Sequence, residues 1–255
     1  MPSVTVLILR APGTNCDRET AFAFERAGAQ AKFVHVNRLL ENPGQLPEFQ
    51  ILCFPGGFSY GDDIAAGRIL ACQIRNHLAE VLHEFREAGN LILGICNGFQ
   101  VLIKSGILLD DAAATLTWND SGKFEDRWVH LKSVQNSNVF LHGVDKFYLP
   151  IAHAEGKFVV HDTDTLGTLD QNCQLVLRYA DTEGRYDGVI EYPQNPNGSV
   201  ANVAGVSDES GRILGMMPHP ERHIDPTHHP QWTRREKQVE GDGLRLFRNA
   251  VGYFE

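Results

Sequence analysis

Several things are missing from this 255-residue chain. No apolar run approaches the length needed to span a bilayer. The start, Met1-Pro2-Ser3-Val4, lacks the basic segment and apolar core of a secretion signal. The five cysteines show no short paired spacing, which excludes a disulfide framework and a zinc knuckle. Reduced thiols and a cytoplasmic setting are the expectation, with no membrane association. Lys and Arg number 23 against 32 Asp and Glu, a net charge of -9. That balance excludes a broad nucleic-acid surface. No Pro-, Ser- or charge-rich linker, repeat or low-complexity tract interrupts the chain, and 42% of it is hydrophobic. One domain over residues 1–255 is expected, with enough apolar side chains for a full core.

The first half alternates short apolar runs with helical patterns. Val4–Leu9, Ala31–Val36, Gln50–Phe54 and Asn90–Ile95 read as strands. A helix follows Asp17, its expected cap, and stops at Gly28. Asn37–Glu48 reads as turn and short helix. Asp62–Glu87 reads as two helices hinged near Ala71. This alternation predicts an α/β fold, a central mostly parallel sheet flanked by helices. From Asp110 the pattern changes to short strands and turns: Thr115–Trp118, Trp128–Ser133, Lys146–Ala152, Lys157–Val160, Leu175–Ala180 and Val200–Val206. The second half is therefore expected to be rich in antiparallel pairs. Ile213–Met217 returns as a buried strand, and Gly241–Tyr253 closes the chain as an amphipathic helix with Leu244, Leu246, Phe247 and Val251 inward.

Gly94-Ile95-Cys96-Asn97-Gly98 joins a buried strand to a helix. A Gly-x-nucleophile-x-Gly turn in that position is a nucleophile elbow, with Cys96 above a helix N-terminus. A thiol nucleophile needs a base and a group to orient it. His219 again follows a buried strand, and Glu221 stands two residues on. In an extended segment residues two apart point the same way, so His219 and Glu221 are expected side by side. Pro218 and Pro220 stiffen the pair. Donors for an oxyanion are expected from the backbone N–H of Asn97 and from the Gly56-Gly57 loop, with Gly57 as the second donor. A histidine metal site built from His219, His223, His228 and His229 is the competing reading of the His-rich tail; it lacks carboxylate or Cys ligands at metal spacing, and no metal is expected.

Pro55-Gly56-Gly57, Gly94-Ile95-Cys96-Asn97-Gly98-Phe99-Gln100 and Pro218-His219-Pro220-Glu221 resemble the three signatures of class I glutamine amidotransferases. With Ala11–Asp17, Phe58–Asp62, Pro150–Gly156 and Arg222 added, the chain is similar over most of its length to the glutaminase subunits of phosphoribosylformylglycinamidine synthase. The family often has Gly where Ala154 stands. The resemblance implies a single-domain class I amidotransferase fold, with Cys96 as nucleophile, His219 as base and then acid, and Glu221 as orienter. Gln100 would help bind glutamine. It also implies partners: an ATP- and Mg-using synthetase subunit of PurL type, with nucleotide binding on that partner, and a small subunit of PurS type. No cofactor is expected on this chain. His153 and Glu155 are family-typical residues without an assigned role. His223–Glu240, including Arg234-Arg235-Glu236-Lys237, reads as a surface loop that meets the partner. A stand-alone thiol hydrolase or stress protein on the same elbow, and a non-catalytic regulatory subunit, remain alternatives at this point.

Overall fold

Buried on both faces, the apolar runs of the first half have to become central strands of a covered sheet. In the computed structural model, which describes residues 3–109, 113–134, 137–235 and 238–255, they do. β1 (Thr5–Arg10), β2 (Gln30–His35), β3 (Ile51–Phe54) and β4 (Leu91–Ile95) are parallel in the order β2-β1-β3-β4. β11 (Ile213–Met216) adds to β4 in parallel, so two segments far apart in sequence lie side by side. Beyond it β10 (Val203–Ser207), β9 (Leu177–Ala180), β6 (Glu125–Ser133) and β7 (Lys146–His153) continue the same nine-stranded sheet with antiparallel pairing. β5 (Ala114–Thr117) and β8 (Lys157–Val160) form a separate antiparallel pair. The mostly parallel first half and antiparallel second half are therefore halves of one sheet.

Helices cover this sheet where their apolar faces meet it. α1 (Asp17–Arg26) packs on β1 and β2 and against α7 (Leu244–Gly252), with Phe24 and Phe247 edge to face at 4.9 Å between centroids. α7 buries Leu244, Leu246, Phe247 and Val251, the face expected from its pattern. α5 (Asn97–Lys104) packs on β3, β4 and β11, and every residue from Asn97 to Ile103 is buried. This contact is close: a Cβ on Gly98 would stand 1.9 Å from the Phe54 carbonyl oxygen. Gly98→Ala must push α5 off β3. We expect it to cost about 3 kcal/mol, lowering the melting temperature by ~6–12 °C; a melt unchanged by calorimetry would contradict this packing.

Some boundaries differ from the sequence reading, each for a local reason. Val36 belongs to α2 (Val36–Glu41), because the His35 ring accepts the Asn37 N–H at 3.2 Å and caps a helix there. A 3-10 helix follows over Pro43–Glu48. Asp17 does not cap α1. It is the first helical residue, and its carboxylate pairs with Arg10 Nε at 2.7 Å. A kinked 3-10 turn spans Ser59–Asp62 and residues 63–67 are loop, with Tyr60, Asp62 and Ile64 at positive φ. The helical region is α3 (Arg68–His77) and α4 (Ala79–Glu87), broken at Leu78 rather than Ala71. The sequence reading also missed α6 (Thr163–Gln171). Its Thr and Gly residues are weak helix formers, but Asp162 caps it by accepting the Thr165 N–H at 2.8 Å. Met1-Pro2, the Asp110 boundary and Glu236-Lys237 of the charged quartet lie outside the described residues.

The tail after β11 is not a plain surface loop. His223 and His229 are buried, and both rings pack on Trp128, at 4.9 and 4.4 Å between centroids. His223 Nδ1 is 2.9 Å from the Tyr148 carbonyl oxygen, and Arg235 lies over the Tyr148 ring. His229 Nδ1 accepts the Gln231 N–H at 3.1 Å. Among the described residues, no helix is long and apolar enough to cross a membrane.

Candidate active site

Parallel register decides which side chains meet. Ile95 of β4 pairs with Met216 of β11, and Phe54 of β3 pairs with Gly94 of β4. The residues just past all three strands therefore share one end of the sheet, where open α/β sheets place their sites. Those residues are Cys96, Met217–Glu221 and Pro55–Gly57. The turn at Cys96 is forced: its backbone sits at φ 51°, ψ -106°, a conformation rare for a residue with a Cβ. Its N–H donates to Met216 O at 2.8 Å, and its Sγ lies 3.7 Å from Ala152 O.

His219 is buried and held at both ends. Its N–H donates to Pro150 O at 2.9 Å, and its Nδ1 is 2.6 Å from Glu221 Oε1. The pair forms differently from expectation. Pro220–Arg222 is a 3-10 turn, not an extended segment, and the turn folds Glu221 back onto the imidazole. Burial disfavours a charged ring. The Glu221 carboxylate outweighs it, Cys96 and Cys16 act in the same direction, and the His219 pKa lies well above its usual value. Its Nε2 is buried and makes no hydrogen bond to the described residues. Gly56 makes room for the ring, since a Cβ there would stand 2.8 Å from His219 Cε1 and 3.0 Å from Cys16 Sγ.

Cys96 opens on a cavity of about 250 Å³ whose walls include Gly57, Asp62, Gln100, Trp118, His153 and Glu155. Asn97 begins α5, so its N–H is one of the donors a helix leaves free at its start. Beside it, the Gly57 loop is pinned to the β1–α1 loop by Phe58 N–H to Gly13 O at 2.9 Å and Cys16 N–H to Gly56 O at 3.1 Å. Neither bond uses the Gly57 N–H. The Asn97 side chain ties the Ser59–Asp62 turn to α5: it accepts the Ser59 N–H at 3.2 Å and donates to Asp62 Oδ1 at 3.1 Å and Gln100 Oε1 at 2.9 Å. Gln100 Nε2 in turn donates to Glu155 O at 2.6 Å.

The Pro150–Gly156 segment now has physical content. Both Glu155 oxygens accept the Ala66 N–H at 3.2 Å, and Lys104 Nζ lies 3.7 Å away, so the cavity residue Glu155 anchors the loop before α3. The Asn119 amide donates to Lys123 O and His153 O, which makes its Oδ1 the acceptor for His153 Nδ1 at 3.1 Å. Burial, reinforced by His219, lowers His153 to about 3, so its ring is neutral with the proton on Nδ1. Ala154 takes no left-handed conformation, so alanine fits where the family often has glycine.

Over residues 3–254 the chain matches the family model described as a CobB/CobQ-like glutamine amidotransferase domain. The chain belongs to the glutamine amidotransferase family. A Dehalococcoides mccartyi protein named phosphoribosylformylglycinamidine synthase subunit PurQ is 49% identical to it over 98% of both chains. A Methanococcus maripaludis protein of the same name is 40% identical over 98% of this chain and 97% of that one. Among solved structures, a chain of PurLQS from Thermotoga maritima matches with a TM-score of 0.75 and 32% identity, covering 99% and 100% of the two chains. Identity at this level over full length places the amidotransferase in the PurQ branch.

Two cavity residues of the amidotransferase went unremarked in the sequence, Asp62 as a carboxylate and Trp118 as an exposed ring. Cys16 was seen only as part of a family segment. It ends the loop after β1, and the strand-end rule that flagged Cys96 and His219 would have flagged it too. Asp62 is pushed up to about 6 from 3.8, chiefly by burial and then by the Glu155 charge. The folded state thus holds this proton more tightly than the unfolded chain. That contribution is complete below about pH 4 and is lost as pH rises through 6. Asp62→Asn should therefore melt above the parent at pH 8 and level with it at pH 4. An equal offset at both pH values, read by scanning calorimetry, would reject this account.

Proposed function

We propose that this chain is the glutaminase subunit of phosphoribosylformylglycinamidine synthase, with Cys96, His219 and Glu221 as its catalytic triad. The observation that carries the site is one arrangement: a strained strand-to-helix turn presents Cys96 beside a buried imidazole that Glu221 holds at 2.6 Å. Cys96 Sγ attacks the side-chain amide carbon of glutamine. His219 accepts the thiol proton, and Glu221 stabilises the imidazolium. The developing oxyanion lies between the N–H groups of Asn97 and Gly57. The tetrahedral adduct collapses, His219 returns the proton to the departing nitrogen, and ammonia leaves. Water, deprotonated by His219, then attacks the glutamyl thioester and releases glutamate and the free thiol. Gln100 lines the glutamine pocket, its amide fixed by Asn97 and Glu155.

The chemistry of this subunit uses thiol, imidazole and carboxylate alone. Ammonia passes to a PurL-type synthetase subunit, which with ATP and Mg2+ converts formylglycinamide ribonucleotide to the amidine in purine biosynthesis. A PurS-type subunit completes the assembly. The likeness to a chain of Thermotoga maritima PurLQS supports an assembly of this kind. We place the reaction in the cytoplasm, in a single amidotransferase domain spanning residues 1–255. Ammonia release from glutamine, measured with the purified chain alone and after adding the synthetase subunit, tests the reading. Release that rises with added synthetase is expected; turnover of peptides or aldehydes with no response to synthetase would favour a stand-alone thiol hydrolase.

A further inference from the structure

Cys16 has no part in the mechanism above, yet it is buried against the catalytic histidine. Ligand atoms of Cys16, His219 and Glu221 lie within 4.8 Å of one another. No spacing along the chain announces this trio, because Cys16 comes from the loop after β1 and the other two from the turn after β11. One further observation points to a missing occupant. His219 Nε2 is fully buried and finds no hydrogen-bond partner among the described residues. The Cys16 thiol itself receives Arg222 Nη2 at 3.1 Å and lies 3.2 Å from Asn15 Oδ1.

We propose that Cys16 and His219 form an inhibitory site for Zn2+, a soft-to-borderline cation that thiolate and imidazole select together. This regulation rests on the catalytic role given to His219. The metal binds His219 Nε2 and Cys16 Sγ, while Glu221 keeps Nδ1–H and orients the ring, the carboxylate–histidine–zinc arrangement. Zinc legs of ~2.0–2.3 Å give tetrahedral edges of ~3.5 Å, inside the 4.8 Å that bounds the spacing of the trio's ligand atoms. Binding breaks the Cys16 S–H bond and the Nε2–H bond of the His219 imidazolium and releases both protons to solvent, so affinity rises with pH. With its Nε2 lone pair on zinc, His219 can neither take the Cys96 proton nor return it to ammonia.

The exposed thiols Cys72 and Cys173 would also bind soft metals, so the parent for the test is the full chain carrying Cys72→Ser and Cys173→Ser. Cadmium titration should show a thiolate charge-transfer band saturating at one equivalent. Zinc titration should give a Kd at least tenfold weaker in Cys16→Ser. In complex with the synthetase subunit, the zinc concentration that halves glutamine-dependent ammonia release should rise by the same factor, each protein scaled to its metal-free rate. X-ray absorption of the zinc-loaded parent should show sulfur and imidazole ligands together, a reading independent of how the variant folds. An unchanged Kd in Cys16→Ser, or a zinc shell without imidazole, overturns the site. A chain that binds zinc as described but releases no ammonia from glutamine would instead overturn the proposed function.

Discussion

Cys96→Ala is expected to abolish glutamine-dependent amidine synthesis in the complex while free ammonia still supports it. The thiol is the only atom lost. Alanine carries the same Cβ into the same strained φ of 51°, so the turn, the α5 N-terminus and the oxyanion donors keep their places. Without the nucleophile no thioester forms, and removing a covalent nucleophile of this kind costs ~10⁴-fold or more. The synthetase site lies on another chain and needs only ammonia, so its own turnover should survive. Parallel loss of both activities would mean that Cys96 holds the fold or the interface. Retained glutamine turnover would remove it from the mechanism altogether.

Glu221→Gln should lower glutaminase turnover by ~10²–10⁴-fold with little change in stability. The side chain keeps its shape, and its amide oxygen can still accept the Nδ1 proton. What disappears is the negative charge 2.6 Å from the ring, the main influence holding His219 protonated against the cost of burial. The sign follows directly. Losing the carboxylate lowers the His219 pKa, so the imidazolium that returns a proton to the departing nitrogen is lost at lower pH. The alkaline limb of the pH–rate profile should move to lower pH, and the maximal rate should fall with it. A variant slower by the same factor at every pH would point to a steric role for Glu221 rather than an electrostatic one.

Particular residues show how far the chain could be read without its fold. Leu91–Ile95 and Ile213–Met216 are legible as buried strands because unbroken apolar runs have no other stable place in a protein this size. Cys96 is legible because glycine at two fixed positions and a change of period from strand to helix leave few alternatives. Boundaries were less legible where side chains cap or anchor the chain: His35 starts α2 one strand residue early, and the Glu155 contact at Ala66 holds a loop that delays α3 to Arg68. The pairing of His219 with Glu221 was anticipated through the wrong local geometry, since a turn, not a strand, brings them together. His223 and His229, which looked like solvent-facing residues of a polar tail, are buried against the Trp128 ring, a contact no local pattern announces.

By itself the sequence determined the layered α/β architecture and singled out Cys96, His219 and Glu221 as the proposed nucleophile, base and orienting carboxylate, all through local period, strand ends and short spacings. The tertiary structure alone decided the neighbours. Pairing β11 beside β4 aligned Cys96 with His219 across more than a hundred residues, and pairing β1 beside β3 carried Cys16 to the same ring. It also folded Asp62, Trp118 and the neutral His153 into one cavity wall. Local patterns record what each segment must bury. Only the packing of those segments against one another sets which segment lies next to which, and so which polar groups share a site.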